Sequence, residues 1–99
     1  MTLGDFLGRG AEAVGIRLAD LKARKRGALI VEGREILAWL GVELYGFTVK
    51  AIAGYLDKHL ETESRLVSRA AMRRVEDRAF LERIQRVDSV VARADGDVR

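Results

Sequence analysis

Apolar residues recur every three or four positions along most of this chain. That spacing places them on one face of an α-helix. The strongest case runs from Ala28 to Tyr45, where Leu29, Ile30, Gly33, Ile36, Leu37, Leu40 and Leu44 form one stripe. Val49, Ile52, Ala53 and Leu56 predict a shorter helix, Val49 to Asp57, with Thr48 as its N-cap. A polar connection from Lys58 to Thr62 follows. The next helix, capped by Thr62 or Ser64, turns Leu66, Val67, Ala70 and Ala71 inward and Arg65, Ser68, Arg69, Met72 and Arg73 outward. Phe80, Leu81, Ile84, Val87 and Val91 mark a last segment, about 75–94, that either continues this helix or follows a bend.

Gly15 and Gly46 are placed to stop helices, and Leu18 to Lys22 predicts a short turn of helix. Gly33 and Gly41 inside the long helix each cost roughly 1 kcal/mol relative to Ala, which predicts close approach by another helix or by a DNA backbone. Trp39 and Tyr45 read as packing at the edge of the core. Residues 1–10, with Gly4, Gly8 and Gly10, read as a flexible or weakly helical lead-in, and 95–99 as a frayed polar tail. A single helical domain is expected over 11–94.

Composition narrows the picture. The 99 residues suit one core, and the absence of Pro fits an all-α fold, a small helical bundle. With no Cys and one His, disulfide scaffolds, thiolate metal sites and histidine-rich metal sites are excluded, and no cofactor is expected. The early glycines lack the Gly-Lys-Ser/Thr of a phosphate loop. His59 falls in a turn with no identifiable partner, and neither Tyr45 nor Tyr55 has a histidine pair beside it in the sequence, so no enzyme activity is expected. The longest apolar run, Ile36 to Val42, is too short for a bilayer, and Met1 opens no signal peptide, so the expected place is the cytoplasm.

Charge supplies the positive clue. Lys plus Arg number 18 against 15 acids. Four cations fall between Lys22 and Arg26, and Arg65, Arg69, Arg73, Arg74 and Arg78 form a second cluster. Arginine suits two-pronged contact with phosphates and guanine edges. A short striped helix, a brief turn and an Arg-bearing helix together make a helix-turn-helix candidate over about 48–75, whose second helix would present Ser64, Arg65, Ser68, Arg69 and Arg73 to the major groove.

Read as one string, Ala11 to Ala70 resembles the C-terminal DNA-binding domain of the bacterial replication initiator DnaA, and at least as much its relatives at the C-termini of REP-associated transposases. The matching pieces are Val14-Gly15-Ile16-Arg17-Leu18-Ala19-Asp20-Leu21, Arg26, Arg34, Ile36-Leu37-Ala38-Trp39-Leu40, Glu43-Leu44-Tyr45-Gly46-Phe47-Thr48, Ile52-Ala53, Leu56 and Val67-Ser68-Arg69-Ala70. The resemblance implies an all-helical domain that binds double-stranded DNA in a bacterial, nucleoid-associated protein. It implies that Arg26, beside Lys25, reaches the minor groove, that Arg34 and Lys50 contact phosphate, and that Arg65, Ser68 and Arg69 lie on the recognition helix. The chain departs from the initiator at Glu61-Thr62-Glu63-Ser64-Arg65-Leu66, which replaces a basic-Asp-His-Thr-Thr signature, and at Glu35, which replaces Gln. The transposase relatives are thus the better comparison. The rival expectation is a protein-interaction module that kept the fold without DNA binding. Glu35, Glu61 and Glu63 on the would-be DNA side motivate it, with the striped C-terminal helix as a homodimer surface.

Overall fold

The structure is a computed structural model that describes residues 1–96, with side chains through Ala94. Among these residues there are six helices and no strand. They are α1 (Leu3–Val14), α2 (Leu18–Lys22), α3 (Ala28–Glu43), α4 (Val49–Leu56), α5 (Leu60–Glu76) and α6 (Arg78–Gly96). The expected all-α bundle is what the chain forms.

Local signals set most of the boundaries. Thr2 Oγ1 accepts from the Asp5 N–H at 3.1 Å and starts α1. Gly15 ends it at φ 97°, a left-handed conformation that costs glycine little. Thr48 caps α4 as expected, accepting from the Ala51 N–H at 3.0 Å. Asp57 closes α4 at φ 56°, so only Asp57, Lys58 and His59 separate α4 from α5. The helix therefore begins before Thr62 and Ser64, the caps expected from the sequence. Asp77, with φ −119° and ψ 103°, breaks α5 from α6, and its Oδ1 accepts from the Phe80 N–H at 3.1 Å.

The core is shared by all six helices. Phe6 and Leu7 of α1, Leu21 of α2, Ile36, Leu37 and Leu40 of α3, Ile52 and Leu56 of α4, Ala70 of α5, and Phe80, Ile84, Val87 and Val91 of α6 are buried together. The first residues are no lead-in: α1 is a full helix whose Phe6 is wholly covered and packs on Tyr45 and Phe47. The apolar stripe of α6 lies against α1 within the same chain, as part of the core.

α3 is the central element. Its stripe continues past the core at both ends, where Leu29 and Leu44 are exposed, while its middle is covered on nearly every side. The tight approach foreseen at its glycines is by side chains. A Cβ on Gly33 would stand 3.0 Å from Ile16, and one on Gly41 would stand 3.0 Å from Ile52. Tyr45 sits at the core edge, its hydroxyl donating to Asp88 Oδ1 at 2.9 Å. No helix of the described residues is long and apolar enough to cross a membrane. The tail residues 97–99 lie outside the described residues.

Candidate nucleic-acid interface

The arginines that share a sequence cluster do not share a role. Arg34, on the first turns of α3, reaches back to the end of α2. Its guanidinium donates to the carbonyl oxygens of Leu21 (3.3 Å), Lys25 (2.6 Å), Asp20 (2.9 Å) and Ala23. The ammonium of Lys58 donates to Lys22 O at 3.0 Å and Ala23 O at 3.1 Å. The last carbonyls of a helix have no partners of their own and carry partial negative charge, so two cations close α2 from outside. Most of the N–H groups of Arg34, expected to contact phosphate, are taken by the backbone, though its side chain also lines the cleft described below. Partial burial lowers its proton affinity below the ordinary range, against the opposing pull of Glu63.

Asp20 fixes the other end of the same short helix. Its Oδ2 accepts from the Arg17 N–H at 3.0 Å, and its Oδ1 accepts from Lys25 Nζ at 3.1 Å. These contacts, the backbone one foremost, hold its carboxyl below the usual range. Lys25 is therefore partnered within the chain.

Arg73 is also turned inward, against expectation. It donates to Glu32 Oε1 at 3.1 Å, stands 3.7 Å from Glu35 and from Asp77, and lies over the Phe80 ring at 4.2 Å. Arg83 forks onto the same Glu32 at 2.6 and 2.9 Å, a two-pronged pair that raises its own proton affinity. Arg74 lies over Trp39 at 5.0 Å. These contacts tie α3, α5 and α6 together. Glu35 and Glu63, expected on the DNA side, are buried rather than displayed. Burial pushes the Glu63 carboxyl up, opposed by Lys58 and Arg34.

What remains outside is a smaller basic set. Arg24, Arg26, Arg65, Arg69 and Lys50 are exposed, as are Arg78, Arg86 and Arg93 of α6, and none is in an ion pair or side-chain hydrogen bond among the described residues. Arg24 and Arg26 edge a cleft of about 550 Å³ between the α2–α3 connection and α5. Its other walls include Val31, Thr62 and Leu66, with Lys58 and Glu63 behind. On the α5 side, Arg65 and Arg69 flank Thr62 and Leu66 by helical spacing. Ser64 and Ser68 are exposed on the same helix and line a shallow hollow with Glu61 and Arg65. Lys50 stands at the first turn of α4. Among the described residues no group of His, Asp and Glu is arranged to hold a metal.

No protein-family model matches this chain, and no curated protein is detectably similar to it. The likeness to the DnaA domain thus rests on the residues quoted for it.

Proposed function

We propose that this chain binds double-stranded DNA through a helix-turn-helix formed by α4 and α5, as the DNA-binding module of a bacterial replication- or transposition-related protein. The reading is carried by one observation. Four exposed arginines without partners among the described residues, Arg24, Arg26, Arg65 and Arg69, lie on the α2–α3 connection and on the stretch of α5 that faces it across the cleft, while Arg34, Arg73 and Arg83 are engaged by contacts within the chain. Three residues between the two helices match the tight turn of that motif.

In this reading α5 enters the major groove. Ser64, Arg65, Ser68 and Arg69 face base edges and flanking phosphates. Arg24 and Arg26 follow the backbone beside it, and Lys50 braces a phosphate from α4. Arg34 acts only by holding the loop that carries Arg24 and Arg26. The one exposed acid of the first turn, Glu61, lies within this face, beside Ser64, Arg65 and Ser68.

Fluorescence anisotropy with a random-sequence duplex tests it directly. Arg24, Arg26, Arg65, Arg69 and Lys50 each neutralising one phosphate give a slope of about −4.5 in log K against log salt, from roughly −0.9 per phosphate. Absence of binding at low salt overturns the proposal. If Arg69 reads a base, Arg69→Ala costs about 1–3 kcal/mol on a selected site and less on random DNA. Equal loss on both would make it a phosphate contact.

A further inference from the structure

The outward face of α5 continues one turn past the residues assigned to DNA. Met72 is 65% exposed and Val75 74%, the most open of the large apolar side chains described. They are three residues apart and so adjacent on one face. Arg69 and Glu76, seven residues apart, stand on one flank of this pair, both exposed and neither in an ion pair among the described residues. The small Ala71 occupies the opposite flank.

The layout is complementary to itself. With Met72 and Val75 taken as the a and d positions of a heptad, Arg69 and Glu76 are both e positions. In an antiparallel pair, a faces d and e faces e. One register therefore seats Met72 on Val75 of a second copy and, at the same time, sets Arg69 opposite Glu76 of that copy at both ends. A parallel pair offers no such match, because e then faces g, where Ser64 and Ala71 stand.

We propose that a second copy of this chain docks on this face, with the two α5 helices antiparallel about a two-fold axis. Such an isologous contact closes after two chains. Its apolar centre is only two side chains wide on each chain, far short of the ~800 Å² per partner of a stable interface, so the dimer forms in roughly the 0.1–1 mM range. This inference stands independently of the DNA reading. Because Arg69 serves both surfaces, a paired copy cannot present it to DNA.

Sedimentation equilibrium of the intact chain, from roughly 10 µM to 2 mM, reads the association. The average mass is expected to climb toward twice that of the chain. Met72→Glu is expected to abolish the rise. Arg69→Glu and Glu76→Arg are each expected to weaken it roughly threefold to tenfold, and the double exchange R69E/E76R to restore it. These side chains are exposed, so the fold survives the changes, and far-UV circular dichroism confirms that each variant is helical. A monomer at every concentration overturns the proposal. So does a dimer indifferent to Met72→Glu, or a double exchange no better than the single ones.

Discussion

Arg69 and Arg73 are one turn apart on α5, and their surroundings give them opposite work. Arg73 points toward α3 and α6, meets Glu32, Glu35 and Asp77, and covers Phe80. Arg69 points away and meets nothing charged among the described residues. The same contrast separates Arg34 from Arg26, eight residues before it: one closes the end of α2, the other edges a cleft in the open. A basic sequence is thus two populations. One holds the bundle together and the other is available to a partner, and composition alone does not tell them apart.

The contrast can be broken first on the structural side. Arg34→Ala is expected to destabilise the fold by about 2–4 kcal/mol, because it strips charged donors from several carbonyls at once. Urea denaturation checks this, and a loss under 0.5 kcal/mol would return Arg34 to the solvated population. Arg73→Ala follows at about 1–3 kcal/mol, since Glu32 and Glu35 lose a cation in a half-covered site. The exposed arginines are the control. Arg26→Ala and Arg65→Ala are each expected within about 0.5 kcal/mol of the parent.

Two smaller effects sharpen the picture of the turn. Asp57 holds a left-handed conformation that glycine adopts more cheaply, so Asp57→Gly is expected to stabilise by up to about 1 kcal/mol in thermal unfolding. Glu63 has a carboxyl raised by burial, so the folded chain holds its proton more tightly than the unfolded chain does. Its contribution is therefore most favourable below the ordinary value of 4.5 and becomes a cost as pH rises through the folded value. Glu63→Gln is expected to raise stability at neutral pH, with the gain disappearing in acid. A gain that persisted unchanged below that value would mean that burial of the charge is not the cause.

Much of the fold was legible because it follows from period and caps. The stripe of α4, the Thr48 cap, the stops at Gly15 and Gly46 and the inward face of α6 all depend on neighbours in sequence. α1 was obscured by three glycines in its first eight positions. Yet Phe6, Leu7, Ala11 and Val14 already hold a helical spacing behind Thr2, and Gly10 lets α1 press against Leu37. The site was less legible. The fate of an arginine depends on which carbonyls or carboxylates the tertiary fold brings within reach. The carbonyls that hold Arg34 lie 9 to 14 residues away in sequence, and Glu32 lies 41 away from Arg73. Glu35 and Glu63 looked like surface repulsion for the same reason, because no local pattern reveals that a carboxylate will be covered.

The most direct test measures both populations in one set of variants. Anisotropy on a random duplex over a salt series, with melting temperature recorded on the same samples, is made for the parent, R26A/R65A and Arg73→Ala. R26A/R65A is expected to keep its melting temperature and to lose close to two units of salt slope, from roughly −0.9 per phosphate contact. Arg73→Ala is expected to lower the melting temperature and to keep the slope wherever it is folded. Unchanged DNA binding by R26A/R65A, or a slope lost only with Arg73, would contradict the division of the arginines on which the proposed function rests.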